Sequence, residues 1–163
     1  MKSIVYIGMD VHKNTFSLCA LDGTTGEILG ETQCASEPKL VEKFVQGLSD
    51  RCALGTEFQT GYEAGILGYS LYRSLTAKSI NCVILAPTTM FSASKNKVVK
   101  NDKMDARMIA QNLAAHTYHA VYVPDSESTD VKEYIRMRKD TKKKLVRCKQ
   151  QLDALLTRQG YRY

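Results

Sequence analysis

The chain has 163 residues, of which 44% are hydrophobic and 25% are charged, a composition typical of a globular domain with one core. No apolar stretch reaches the roughly 18 residues of a membrane-spanning helix, and the N-terminus lacks a signal-peptide cleavage pattern, so we expect a cytoplasmic protein. The five cysteines are widely spaced and form no Cys-x-x-Cys motif, which argues against a zinc ribbon or a dithiol redox site.

The net charge of +6 is concentrated in the last part of the chain. Residues 131–163 contain 11 basic and 3 acidic side chains, whereas residues 1–130 contain 12 basic and 14 acidic ones. A basic segment attached to a nearly neutral domain indicates a polyanionic partner, with DNA or RNA as the leading candidates. A solvated, lysine-rich helix face is the alternative interpretation.

The first third of the chain predicts an antiparallel meander followed by a helix. Residues 3–11 form an apolar run typical of a buried strand, and residues 15–21 and 27–34 alternate like strands on either side of an Asp-Gly turn. Apolar residues then recur at helical spacing over 40–48, and we expect Ser36 to cap that helix.

Strands and helices alternate in the middle of the chain. Residues 52–62 predict a strand, 66–78 a helix, 81–86 a short buried strand and 102–115 another helix, with a polar, basic loop over 92–101. A meander followed by alternating helices and strands predicts an α/β fold. It is a mixed, five-stranded sheet flanked by helices, in the order of an RNase H-like domain.

Acidic residues stand out at three places in this pattern. Asp10 interrupts the first apolar strand, and Asp102 and Asp105 are three residues apart at the start of a helix, which places them on one face. Glu57 and Glu63 lie six apart on or after the fourth strand, so spacing does not choose between them. Clustered carboxylates need a positive partner, and oxygen ligands of this kind suit Mg²⁺, with Mn²⁺ as the alternative.

Such a cluster suits chemistry at phosphate. Two divalent ions about 3.5–4 Å apart are a common arrangement for in-line displacement at a phosphodiester. The residue pattern therefore predicts a metal-dependent enzyme acting on a nucleic-acid backbone. Each acid taken singly also has a structural explanation, since Asp102 and Asp105 suit the first turn of a helix. His12 is a candidate proton carrier or simply a polar turn residue.

Basic side chains flank the predicted site and continue into the C-terminal segment. Lysine and arginine hold phosphates in register without reading the base sequence. The residues that we expect to contact nucleic acid are Lys13, Lys95, Lys97, Lys100, Lys103, Lys142, Lys143, Lys144 and Arg147.

The C-terminal segment, residues 129–163, predicts a basic helix with a heptad repeat. Its seam follows alternating spacings of three and four. The seam consists of Val131, Tyr134, Arg138, Thr141, Leu145, Cys148, Leu152 and Leu155. Because such a stripe needs a partner helix, we expect the start of a coiled coil. The partner helix would come from another copy in a homo-oligomer or from sequence that is missing here.

Three motifs resemble those of the DEDD transposases, the insertion-sequence recombinases that include Piv-type DNA invertases and bridge-RNA-guided enzymes. The motifs are GMDVHK at residues 8–13, GYEAG at residues 61–65 and DKMDA at residues 102–106. The resemblance implies a RuvC-like catalytic domain over residues 1–125. In that domain the catalytic and metal-binding residues would be Asp10, Glu63, Asp102 and Asp105.

The resemblance also implies a function and favours Glu63 over Glu57. It predicts the N-terminal catalytic domain of a DNA transposase or site-specific recombinase, with Mg²⁺-dependent strand breakage and exchange during transposition. The implied partners are DNA and, for the RNA-guided members, a guide RNA, and the implied location is the bacterial or archaeal nucleoid. No segment here corresponds to the family's serine-bearing C-terminal domain, so we expect a fragment that is incomplete as an enzyme.

Two other functions fit the same residues. One is a RuvC-like Holliday-junction resolvase or nuclease that is active alone. The other is a non-catalytic module that binds nucleic acid and mediates assembly. An actin-like sugar kinase half is disfavoured because no glycine-rich phosphate turn follows Asp10.

Overall fold

A five-stranded mixed sheet forms the centre of the protein in the computed structural model, which describes residues 3–90 and 102–161. The strands are β1 (Ile4–Val11), β2 (Thr15–Asp22), β3 (Ile28–Ala35), β4 (Glu57–Glu63) and β5 (Asn81–Leu85). Their order is β3-β2-β1-β4-β5, with β1 to β3 antiparallel and β1, β4 and β5 parallel. This arrangement confirms the predicted RNase H-like sheet.

Four α-helices accompany the sheet in the described part of the chain. They are α1 (Pro38–Ser49), α2 (Ser70–Thr76), α3 (Asp102–Ala114) and α4 (Ser126–Arg158). The long α4 confirms the predicted C-terminal helix, and it belongs to a compact unit that begins at Val123. Among these described helices, none combines the length and apolarity that crossing a bilayer requires.

Two predicted elements begin later than expected because glycines with positive φ precede them. β4 begins at Glu57 rather than at residue 52, and Gly55 before it has φ +87°. α2 begins at Ser70 rather than at residue 66, and Gly68 has φ +53°. Glycine adopts this left-handed conformation at little cost, and the conformation is incompatible with both strand and helix.

The expected cap of α1 was also wrong. Glu37 occupies the N-cap position without a side-chain hydrogen bond, and Pro38 opens the helix, a position where proline is favoured. The hydroxyl of Ser36 instead donates to the carbonyl of Lys13, 2.7 Å away. Ser36 therefore supports the turn between β1 and β2.

Each face of the sheet is covered by helix. α1 lies on one face, where Phe44 and Leu48 approach Gly30 of β3. α3 lies on the other face and forms two apolar clusters with the strands. The clusters combine Ile109 and Leu113 with Tyr6 and Leu85, and Ala106 and Ala110 with Cys19 and Leu21.

The backbone of α3 rests directly on β1 at Gly8. A Cβ atom at this position would lie 2.2 Å from the carbonyl oxygen of Ala106 and 2.3 Å from the amide nitrogen of Ala110, so only glycine fits. Asp10 is two residues further along β1 and therefore shares the face of Gly8. The crossing thus brings the first turn of α3, with Asp102 and Asp105, towards the end of β1 that carries Asp10.

Candidate metal centre

Asp10 and Glu63 occupy equivalent places on adjacent parallel strands. The ladder between β1 and β4 ends with the pair Met9 and Tyr62, and Asp10 and Glu63 each follow by one residue. Paired residues of a parallel ladder point to the same face, and the next residues on both strands point to the opposite one. Glu63 therefore lies at the level of Asp10 and on the side of the sheet that α3 covers.

The same register separates the two glutamates that spacing left unresolved. Glu57 is opposite Ile4, at the far end of β4, whereas Glu63 is opposite Leu85 at its carboxyl end. Ligand-binding residues in open sheets with parallel strands gather at the carboxyl ends of those strands. The position of Glu63 is thus compatible with the role that the family resemblance implies.

The first turn of α3 places a second carboxylate close to Asp10. Ligand atoms of Asp10, His12 and Asp102 all lie within 4.8 Å of one another. His12 Nε2 is 3.1 Å from Asp10 Oδ2 and 3.8 Å from Asp102 Oδ1. Asp105 is near enough for its charge to act on Asp10. Acids from a strand and a helix more than 90 positions away therefore converge.

The electrostatics of Asp10 suit a bound cation. Burial raises the pKa of its carboxyl group above the ordinary value, and His12 opposes this shift, whereas the charges of Asp105 and Asp102 add to it. Only 17% of the Asp10 side chain is exposed. A divalent cation would compensate for lost hydration and for repulsion between carboxylates alike. Hard oxygen donors are the ligands that Mg²⁺ prefers, so the donor set fits such an ion.

The predicted basic residues lie in several parts of the structure. Lys13 is in the turn after β1, and Lys103 is exposed in the first turn of α3. Lys142, Lys143, Lys144 and Arg147 are exposed on α4. The remaining three, Lys95, Lys97 and Lys100, fall outside the described residues. Contact of any of these side chains with nucleic acid stays a prediction.

One contact that supports the site was not predicted. Arg107, on α3, forms two hydrogen bonds to Glu31 of β3, with Nε 2.5 Å from Oε1 and an Nη2 to Oε2 distance of 2.7 Å. The hydrogen bond from Arg107 is the main reason why the pKa of Glu31 lies below its usual value. This bidentate pair attaches the helix that carries Asp102 and Asp105 to the edge of the sheet.

The fold and the carboxylate cluster together define an RNase H-like protein with a candidate site for divalent cations. The family model "DEDD_Tnp_IS110", described as "Transposase", matches residues 7–160. The chain belongs to this transposase family, which confirms the resemblance found in the three motifs.

Similar proteins carry the same description. The transposase for insertion sequence element IS1533 of Leptospira borgpetersenii is 35% identical over 159 residues, which cover 97% of this chain and 45% of that protein. The putative transposase y4qE of Sinorhizobium fredii is 31% identical over 102 residues, or 63% of this chain and 26% of that protein. The chain thus spans less than half the length of these relatives.

A solved structure with a similar arrangement is that of T. thermophilus RuvC in complex with a Holliday junction substrate. The alignment has a TM-score of 0.47 and 11% sequence identity, and it covers 72% of this chain and 99% of RuvC.

Proposed function

We propose that this chain is the catalytic domain of a DNA transposase or site-specific recombinase. In this proposal Asp10, Glu63, Asp102 and Asp105 bind Mg²⁺ and arrange a phosphodiester for strand breakage and exchange. The observation that carries the proposal is the convergence of Asp10 with the acids of α3. Membership of the transposase family supports it.

The contribution of the protein to this chemistry is to hold carboxylates at fixed positions. The central strands fix Asp10 and Glu63 at one level of the sheet. The crossing at Gly8 and the Arg107–Glu31 pair fix the helix that carries the other two acids. A bound dication would supply charge stabilisation to the phosphate and to the entering and leaving oxygens.

The proposal also assigns a role to the remaining parts of the chain. Residues 1–125 would form the catalytic domain, and residues 129–163 would begin a coiled coil through which copies of the protein assemble. Lys13 and Lys103 neighbour the acids of the candidate site in the sequence and would hold the DNA backbone, and the basic side chains of α4 would also bind phosphates. A guide RNA is a further candidate partner, and the place of action would be the nucleoid.

Metal binding to substituted proteins tests the proposal. Asp10→Asn and Glu63→Gln remove one anionic ligand each, and we expect the Mg²⁺ affinity to fall by about tenfold or more, since even outer-shell changes cost about 10–100-fold. Glu57→Gln is the matched control, because it makes the same change at the other end of β4 and should leave the affinity intact. Calorimetry provides the measurement.

Cleavage assays separate the alternatives. Mg²⁺-dependent cutting of branched DNA by these 163 residues alone would favour a resolvase. Equal Mg²⁺ affinity in Asp10→Asn, Glu63→Gln and the unchanged protein would contradict the catalytic proposal. DNA binding that is unaffected by all four acidic substitutions would then leave the assembly module as the remaining function.

A further inference from the structure

His12 lies between two carboxylates of the candidate centre. The same atom, Nε2, is 3.1 Å from an oxygen of Asp10 and 3.8 Å from an oxygen of Asp102. Two ligand atoms that are each about 2.1 Å from one ion are about 3.0 Å apart at a right angle and about 3.4 Å apart at a tetrahedral angle. The separation of 3.1 Å between His12 and Asp10 matches two atoms that share one cation. The ligand atoms of all three residues lie within 4.8 Å of one another, so a small closure of the group would allow them to share it.

The backbone around His12 is held in place by its neighbours. The amide of His12 donates to the carbonyl of Thr15 at 2.9 Å, which closes the turn between β1 and β2. The Ser36 amide donates to the carbonyl of Asn14 at 3.1 Å, and its hydroxyl donates to that of Lys13 at 2.7 Å. The imidazole is therefore presented to the two carboxylates by a turn that is fixed on two sides.

The residue that faces Asp10 on the neighbouring strand carries a buried hydroxyl. Ser17 pairs directly with Asp10 across β1 and β2, and facing residues of an antiparallel ladder share a face of the sheet. Its side chain is 1% exposed, and its Oγ has no hydrogen-bond partner among the described residues. An unpaired hydroxyl beside Asp10 is available to donate to a carboxylate that turns towards a cation.

We propose that Nε2 of His12 is a ligand of the metal centre, which therefore binds transition-metal dications such as Mn²⁺ more tightly than Mg²⁺. This inference rests on the proposed function, because it adds a ligand to the same site. Imidazole is a good ligand for first-row transition metals, whereas Mg²⁺ takes oxygen ligands almost exclusively. His12 thus adds a nitrogen ligand that Mn²⁺ accepts more readily than Mg²⁺ does.

A simple hydrogen bond between His12 and Asp10 makes a different prediction. A residue that only orients Asp10 would influence every cation bound by that carboxylate, so its loss would weaken Mg²⁺ and Mn²⁺ binding to the same extent. A direct ligand would influence Mn²⁺ selectively. The ratio of the two affinities therefore distinguishes the two roles.

The test compares His12→Asn with His116→Asn in the full 163-residue protein. His116 follows the C-terminal end of α3, and its ring forms a T-shaped pair with Tyr6, with the ring centroids 6.1 Å apart. Asparagine tolerates the φ of 53° at this position. Electron paramagnetic resonance of Mn²⁺ gives the Mn²⁺ affinity, and displacement of bound Mn²⁺ by Mg²⁺ gives the Mg²⁺ affinity. We expect His12→Asn to lower Mn²⁺ affinity by about tenfold or more and to change Mg²⁺ affinity much less, while His116→Asn changes neither.

Pulsed resonance supplies a direct readout. Bound Mn²⁺ should show coupling to an imidazole ¹⁴N nucleus, and this coupling should disappear in His12→Asn and persist in His116→Asn. Mn²⁺ that binds without nitrogen coupling, or an unchanged ratio of affinities in His12→Asn, would overturn the inference and leave the proposed function intact. Failure of the unchanged protein to bind either metal would overturn both.

Discussion

At the scale of single residues, two buried hydroxyls in the sheet differ in whether they form a hydrogen bond within the described residues. Thr60 is fully buried, and its hydroxyl donates to the carbonyl of Asn81 at 2.9 Å. Ser17 is equally inaccessible, but its hydroxyl has no partner within the described residues. A buried hydroxyl without a partner opposes folding, because it has lost its hydrogen bonds to water.

We therefore expect matched substitutions of these residues to have opposite effects. Ser17→Ala should raise the free energy of unfolding by up to about 1 kcal/mol, because it removes an unpaired polar group, whereas Thr60→Val should lower it by about 1 kcal/mol. Urea denaturation of the metal-free proteins measures both changes. A loss of stability in Ser17→Ala would show that a further group satisfies this hydroxyl.

At the scale of elements, the crossing of α3 over β1 decides the geometry of the site. Gly8→Ala would place a methyl group against the backbone of α3, at 2.2 Å from the Ala106 oxygen. Overpacking against backbone costs about 1–3 kcal/mol or more, and the displaced helix carries Asp102. We expect lower stability and weaker metal binding, measured by urea denaturation and calorimetry.

Gly47→Ala is the control for that substitution. Gly47 lies in α1, where an added Cβ meets nothing within 4 Å. Alanine is about 0.5–1 kcal/mol better than glycine inside a helix, so this variant should gain stability and keep its metal affinity. If Gly8→Ala behaved in the same way, α3 would not rest on the strand.

The Arg107–Glu31 pair between α3 and β3 predicts a dependence of stability on pH. Arg107 lowers the pKa of Glu31 below its ordinary value of 4.5. Because the pKa of Glu31 is lowered in the folded state, the pair stabilises the fold fully at pH values above the ordinary pKa. This stabilisation is lost as the pH falls through the lowered pKa of the folded state. The stability difference between the unchanged protein and Arg107→Gln should be constant near neutral pH and shrink in acid.

Urea denaturation between pH 7 and pH 3 measures that difference. Arg136→Gln is the control, because Arg136 pairs with Glu133 on the surface of α4, where 69% and 60% of the two side chains are exposed. Exposed pairs of this kind contribute little, so this variant should be as stable as the unchanged protein. A pH-independent effect of Arg107→Gln would mean that its packing, not its charge, is what stabilises α3.

The sequence predicted the elements better than it predicted their edges and contacts. The apolar runs of β1 and β5 and the helical spacing in α1 identify elements because burial imposes these periods. The starts of β4 and α2 were missed, since the φ of Gly55 and Gly68 follows from the assembled fold. The Arg107–Glu31 pair joins residues 76 positions apart, and no local pattern signals such a contact.

For the candidate site, the three motifs predicted which acids would form it, but the neighbours of those acids required the structure. Spacing alone left Glu57 and Glu63 equivalent, and the register of β4 against β1 now places them at opposite ends of the strand. His12 was predicted only as a proton carrier or a turn residue. Its position between Asp10 and Asp102 depends on how α3 docks, which sequence periodicity does not specify.

At the scale of the whole molecule, the basic charge of α4 predicts salt-sensitive binding to DNA. Lys143 and Arg147 are one helical turn apart and exposed, so both can approach phosphates together. Each neutralised phosphate contributes about −0.9 to the slope of log affinity against log salt concentration for double-stranded DNA. The double variant Lys143→Gln/Arg147→Gln should weaken binding and reduce the steepness of that slope by up to about 2.

A second double variant is the control, because it has the same net charge as the first. Lys39→Gln/Lys43→Gln removes two positive charges with the same spacing from α1 and should leave the slope unchanged. Fluorescence anisotropy of labelled duplex DNA over a series of salt concentrations measures both. Equal reductions in the two variants would mean that DNA responds to overall charge and not to α4.

The contact at Gly8 also has a consequence for the distance between Asp10 and the acids of α3. Where helix and strand touch through main-chain atoms alone, no intervening side chain can be exchanged for a larger or smaller one. The gap between the Asp10 carboxylate and those on α3 is consequently governed by the thickness of two polypeptide backbones. Apolar residues elsewhere in the interior can therefore change during evolution while the distances between these carboxylates stay constant.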